Sequence, residues 1–314
     1  MKTPLHTLLE ISTHILQEHP ELISHLEESI AKARGGRQIK LFVPSGHYYS
    51  PVVDPESVQD LFLSAEADPL IGGVDLNVKG QLDLWVAMLP FLRDVPFPEQ
   101  QTESYRYFHG NNWYGLGDAA IYFALIRLLK PRRIVEVGSG FSSAVALDAS
   151  DHFLNGEIKF TFVDPHPERL HALLGTYEAS KVNVLTQAVQ NVSLDEFSCL
   201  DAGDLLFIDS THVMKTGSDV NFELFHVLPR LKPGVVIHFH DTFWPFEYPR
   251  EWALDDNRSW NELYALRAFL MHNSDYQILF FNHYFAKVHR DQVVADCPRL
   301  GQGLGGGLWL KKLR

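Results

Sequence analysis

The chain has 314 residues, with 27 Lys or Arg against 39 Asp or Glu, for a formal net charge of −12 at neutral pH. Such an excess of carboxylates repels phosphate backbones and anionic lipid, so recognition of nucleic acid or of a membrane surface through a basic field is excluded. At 46 % hydrophobic and 21 % charged residues the chain can bury a full core, which excludes disorder, collagen and a coiled-coil rod. Cys199 and Cys297 form no metal-spaced pair and no disulfide framework, which suits a reducing compartment. The opening run interrupts its apolar residues with His, Glu and Gln, unlike a signal peptide. The apolar stretch Leu84 to Leu92 contains Pro90 and is far short of the ~20 residues of a membrane helix. A cytoplasmic chain with no membrane partner is expected.

Residues 1–116 read as a helical and irregular cap. Leu5, Leu8, Leu9, Ile11 and Ile15 repeat at helical spacing, and a second helix is expected from Glu21 to about Ala33, stopped by Gly35 and Gly36. The segment LFVPSGHYYSPVVDPESV is too rich in Pro, Gly and aromatics for a long regular element. A third helix is expected from about Gln81 to Leu92. YRYFHGNNWYGLGDA then concentrates aromatic residues before the next helix, where Trp113 and Tyr114 either line a pocket or cover the core.

From residue 117 to 314 helices and strands alternate. GDAAIYFALIRLLK reads as an amphipathic helix capped by Asp118. IVEVG is a buried strand, SSAVALDAS a helix, KFTFVD a strand, PERLHALLGTY a helix, VNVLTQ a strand and DLLFID a strand. DVNFELFHVLPRL is a helix, GVVIHFHD a strand, SWNELYALRAFLMHN a helix, and YQILFFN and LWLKK the last strands. Strands separated by helices imply right-handed crossovers and a doubly wound, mostly parallel α/β sheet. The last two strands show no helix between them, so one of them is expected to run antiparallel.

The turn Gly138-Ser139-Gly140-Phe141-Ser142 joins the first strand to its helix. Glycines there bring backbone N–H groups close to a ligand at the helix start. Asp164 ends the second strand 26 residues after Gly138, where a carboxylate accepts hydrogen bonds from ribose hydroxyls. Ser143 replaces the third glycine of a dinucleotide fingerprint, which disfavours a pyrophosphate. Glu136 is expected at the strand mouth, where a carboxylate welcomes an ammonium. The nucleoside this selects is S-adenosylmethionine, held by Glu136, Gly138, Ser139, Gly140, Ser142 and Asp164.

Asp209 ends the fourth strand, and His240 and Asp241 end the fifth. Neighbouring parallel strands project their ends into one crevice, so these three residues form a candidate divalent-ion site. Oxygen ligands suit magnesium or manganese, and the histidine admits iron or zinc. His238 is expected to pack inside the sheet. Trp244, Phe246, Tyr248 and Trp252 are expected as a wall or lid on the acceptor side, with Lys215 a weaker acceptor contact.

VEVGSGFSS, FVDPHPERL, LLFIDSTHVMKTGSDV and LKPGVVIHFHD resemble motifs of the class I S-adenosylmethionine-dependent methyltransferases, over residues 117–314. The match is nearest to a bacterial subgroup similar to the metal-dependent macrolide-sugar O-methyltransferases. The resemblance implies a seven-stranded Rossmann-like sheet of order 3-2-1-4-5-7-6 with strand seven antiparallel. It also implies Asp209 and Asp241 as metal ligands, Asp209 beside the cofactor, Gln190 near the adenine and His212 as the catalytic base. His240 departs from it, standing where the sugar enzymes have a glutamate. The expected reaction is metal-assisted O-methylation of a small acceptor, a sugar or another polar hydroxyl compound. A metal-dependent hydroxylase, an NAD-dependent oxidoreductase and a non-catalytic cofactor-binding partner remain alternatives at this point, and a homo-oligomer is left open.

Overall fold

The computed structural model describes Ile15, His19, Leu22 and residues 41–64, 71–174 and 182–314. The two helices expected before residue 34 lie outside the described residues, apart from Ile15 and Leu22, which are helical. By its contacts the chain divides into two compact units, 1–54 and 55–314. In the first unit, residues 41–54 are irregular, as their composition demands. His47 stacks on Tyr48 with ring centroids 4.3 Å apart.

The second unit begins well before the boundary expected at residue 116. It opens with helix α1 (Pro55–Ser64) and helix α2 (Val78–Leu92). Trp85, Met88 and Leu92 of α2 belong to the same buried cluster as Tyr107, Tyr114 and the next helix, α3 (Leu116–Leu129). Helix α3 is not amphipathic. Residues 119–126 are all buried, because α3 packs among other apolar elements and its sequence therefore has no polar stripe to show. Nor does Asp118 cap it. Gly115 is the capping residue, and Asp118 lies in the first turn, where a negative charge also suits the helix dipole.

The sheet has seven strands, β1 (Arg133–Val137), β2 (Lys159–Val163), β3 (Asn183–Leu185), β4 (Leu205–Ile208), β5 (Val236–His240), β6 (Tyr276–Phe281) and β7 (Gly307–Lys312). Their order is 3-2-1-4-5-7-6, with β7 antiparallel to both β5 and β6 and the other pairs parallel. Side chains alternate between two cores. Ile134, Phe160, Phe162, Leu205, Phe207 and Trp309 pack against α3 and against helix α4 (Phe141–Phe153). Val135, Val163, Leu206, Ile208, Ile237 and Phe239 form the other core. Strands buried on both faces read as continuous β-branched and aromatic runs, which is why the sequence displays them.

Two expectations about helices change. DVNFELFHVLPRL folds as a short α-helix (Asp219–Phe222) that widens into a π turn (Glu223–Val227) and tightens into a 3₁₀ turn (Leu228–Arg230). Between β6 and β7 stand two helices, Asn282–Val288 and Arg290–Asp296, where none was expected. Each has seven residues, too few for a 3.6-residue repeat to be visible. Among the described residues no helix is long and apolar enough to cross a membrane.

Candidate active site

The carboxyl-terminal edge of the sheet is stitched by backbone bonds that continue past each strand. Gly138 N donates to Val163 O at 3.0 Å, Asp164 N to Leu185 O at 3.2 Å and Asp209 N to Val137 O at 2.9 Å. Gly138 has φ +79°, and a Cβ there would sit 1.9 Å from Asp209 O. Only glycine fits, both for its dihedral and for the close approach of the two strand ends. A cavity of about 620 Å³ opens above this edge, lined by Ser139, Gly140, Ser142, Asp209, His212, His240 and Asp241 among others.

Of the expected nucleoside residues, Ser139, Gly140 and Ser142 line the cavity. Asp164 stands beside them: its Oδ2 accepts from Ser139 N at 2.9 Å and Ser139 Oγ at 2.8 Å, and its Oδ1 from His166 N at 2.8 Å. Glu136 is not at the mouth. The strand alternation that puts Ile134 in the α3–α4 core carries Glu136 into the same layer, fully buried. There Ser142 Oγ and Ser143 Oγ donate to its Oε1 at 2.5 and 3.0 Å, while Oε2 has no hydrogen-bond partner among the described residues. Burial pushes this carboxyl up to about 8, against the help of the two hydroxyls. Gln190 is also outside the cavity lining, its Nε2 donating to Gly217 O at 2.9 Å.

Asp209, His240 and Asp241 converge as expected. Each offers one ligand atom within 4.8 Å of the others', and His240 Nδ1 is buried with no hydrogen-bond partner among the described residues. Two carboxylates and an imidazole fit a divalent cation, so the donor chemistry suits the expected metal. The parallel register pairs Ile208 with Phe239, which brings Asp209 level with His240. Asp241 then turns through a left-handed φ of 51° to face the same space. Such conformations are tolerated by Asp better than by most residues.

His212 joins them. It too is left-handed, with φ 60°, and it is buried at 5 % exposure. Its Nε2 lies 3.4 Å from Asp209 Oδ1 and 3.6 Å from Asp241 Oδ2, and its Nδ1 is 2.8 Å from Glu262 Oε2. Burial works against the charged imidazole, but hydrogen bonds and charge from Asp209 and Glu262 prevail and hold it well above the usual histidine range. Burial raises Glu262 and Asp241 in turn.

Three features of the cavity had no signal in the sequence. Glu262 comes from helix Glu262–Leu270, 50 residues beyond His212. Asp118 lines the cavity, receives Asn282 Nδ2 at 3.4 Å, and is pushed by burial up to about 7. The glycine-rich run 301–307 leading into β7 covers it: Gly305 has φ +79°, and a Cβ on it would lie 1.8 Å from Asp118 Oδ2. An arginine at an unremarkable position, Arg258, stacks 3.9 Å over Trp252 and 4.9 Å from Trp260.

The acceptor-side wall differs from the one expected. Trp252 lines the cavity, with Phe243 and Trp260. Phe246 and Tyr248 are instead buried in the core around Ile237 and Phe239, and Trp244 sits against Tyr284. Lys215 is exposed and outside the lining. His238 is buried between Phe207 and Trp309, at 4.2 and 4.1 Å between ring centroids, with burial holding it well below the histidine range.

A family model described as a methyltransferase domain matches residues 135–242. An uncharacterised protein of Archaeoglobus fulgidus is 30 % identical over 200 residues, covering 62 % of this chain and 88 % of that one. Among solved structures, the O-methyltransferase TomG of Streptomyces achromogenes is 15 % identical, covering 82 % of this chain and 96 % of its own at a TM-score of 0.39. An O-methyltransferase of Bacillus cereus in complex with SAH is 12 % identical over the same shares, at a TM-score of 0.38. At these TM-scores no residue role is carried from those structures to this chain.

Proposed function

Given that the chain belongs to the class I S-adenosylmethionine-dependent methyltransferases, we propose that it methylates an oxygen of a small polar acceptor, a sugar or a secondary-metabolite hydroxyl, with a divalent cation at Asp209, His240 and Asp241. The observation that supports this reading is that Asp209, His240, Asp241 and His212 line the same cavity as Ser139 and Gly140 of the glycine turn, with the first three close enough to share an ion. The cofactor supplies an electrophilic methyl group, and a bound cation supplies charge that holds and acidifies a hydroxyl.

The chain's own residues divide the remaining work. Gly138, Ser139, Gly140 and Ser142 present backbone and hydroxyl groups to the nucleoside, and Asp164, preset by Ser139, faces the ribose. Glu136 acts from beneath by fixing Ser142 and Ser143 at the start of α4. Glu262 holds Nδ1 of His212 and so aims Nε2 at the acidic pair. With Asp209 drawn away to a cation that it shares with Asp241, His212 keeps only Glu262 of the two carboxylates that hold its imidazole up. Its Nε2 then accepts the proton of the acceptor hydroxyl. The aromatic wall of Phe243, Trp252 and Trp260 excludes water and offers flat surfaces to a ring.

Calorimetric titration with S-adenosylhomocysteine, with and without manganese, tests this reading. Heat with the nucleoside and tighter binding with the ion are expected; no heat in either case overturns it. Two carboxylates and a histidine are also the ligand set of non-haem iron oxygenases. Methyl transfer in the absence of oxygen separates the two. The oxidoreductase reading is set aside by the family to which the chain belongs.

A further inference from the structure

S-adenosylmethionine carries an ammonium and a sulfonium, which an acidic cleft welcomes, and one carboxylate, which it repels. The inference that follows rests on that cofactor reading and asks what receives the carboxylate. Among the described residues, two guanidinium groups line the cavity, those of Arg169 and Arg258. Arg258 is already chelated, its Nε and Nη2 donating to Asp256 Oδ2 at 3.0 and 2.9 Å. Arg169 has no carboxylate within ion-pair distance among the described residues. Its aliphatic stem lies on the glycine turn, with Cδ 3.0 Å from where a Cβ on Gly140 would stand. Its guanidinium carbon sits 3.8 Å from the ring centre of Trp113.

Trp113 is 66 % exposed, which is costly for an indole unless it has a use. It is nevertheless held in place: Asn111 Oδ1 accepts from Trp113 N at 2.8 Å and from Tyr114 N at 2.7 Å. An exposed tryptophan on a fixed loop is a platform that orients a guanidinium and leaves its edge donors available. We propose that Arg169, carried on Trp113, binds the α-carboxylate of the cofactor and selects it over nucleosides lacking that group. The planar fork of the guanidinium matches a carboxylate in a charge-assisted, two-point contact. It supplies positive charge beside the turn in a cavity whose other ionised groups are largely acidic.

Titration of the full chain with S-adenosylmethionine and with its decarboxylated form tests the assignment, since both retain the ammonium and the sulfonium. The wild type is expected to prefer the carboxylate-bearing form by about tenfold or more. Arg169→Gln should erase that preference, weakening the first ligand about tenfold while changing the second less than about twofold. Arg169→Lys should fall between, and Arg258→Gln should leave the preference intact. Equal binding of both forms by the wild type, equal weakening of both by R169Q, or loss of the preference in R258Q instead overturns the assignment. A wild type that binds neither form removes the cofactor reading itself and this assignment with it. Thermal unfolding of R169Q and R169K keeps a folding defect distinct from a binding one.

Discussion

His212 Nδ1 lies 2.8 Å from Glu262 Oε2, and both groups are buried. The imidazole is thus pinned on one side by a carboxylate that belongs to a different helix, and only Nε2 is left to face Asp209 and Asp241. Glu262→Gln is therefore expected to slow turnover about 10–100-fold with cofactor affinity nearly unchanged. The acidic limb of the pH–rate profile should shift to lower pH as the imidazole loses a stabilising charge. Steady-state rates across pH check this, and an unmoved profile with full activity rejects it.

His212→Ala removes the proposed base outright. Turnover should fall about 10²–10⁴-fold, while titration with S-adenosylhomocysteine gives wild-type affinity. A variant at full speed refutes the base assignment.

Asp209→Asn and Asp241→Asn should each abolish stimulation by magnesium or manganese and lower activity at least about 10–100-fold. Stimulation that persists in both variants places the ion elsewhere. Chelation of the wild type followed by readdition of single metals measures which ion the histidine-containing set prefers.

Glu136 and Asp118 make stability depend on pH in a predictable direction. Burial raises both carboxyls, to about 8 and about 7, so the folded protein keeps protons that the unfolded chain releases. Their contribution is complete below the ordinary carboxylate range, declines as pH rises, and is exhausted above about pH 8. Glu136→Gln should flatten the fall in thermal midpoint between about pH 5 and 8. A variant whose midpoint falls as steeply as the wild type's contradicts the assignment.

Gly138→Ala should cost on the order of 1–3 kcal/mol from backbone strain alone, and more from the overlap with Asp209 O. Loss of cofactor binding should accompany the lowered thermal midpoint. An unaltered midpoint would mean that the two strand ends separate easily.

The sheet was legible because each doubly buried strand is an unbroken apolar run, and because turn residues punctuate the chain between Gly138 and Gly234. The strand-end residues Asp209, His240 and Asp241 were legible for a related reason: a strand's last residue has one place to go. His212 was found by resemblance to a family rather than by spacing. Glu136 was misplaced because its position along β1 was weighed and its face was not. Glu262, Asp118 and Arg169 come from elements remote in sequence, and no local pattern announces a meeting made by tertiary packing. Trp85, Tyr107 and Tyr114 read locally as loop and cap residues, and only the buried cluster they share with α3 shows what they fill.

Strand β7 is inserted between β5 and β6, its Gly307 pairs with His240, and Gly305 closes over Asp118. The pocket is consequently a late product of synthesis. A nascent polypeptide that has emerged through the end of β6 already contains Asp209, His240, Asp241 and Glu262, yet lacks the strand whose Gly307 pairs with His240. Such an intermediate should be inert, and so should a truncation that stops short of the glycine run.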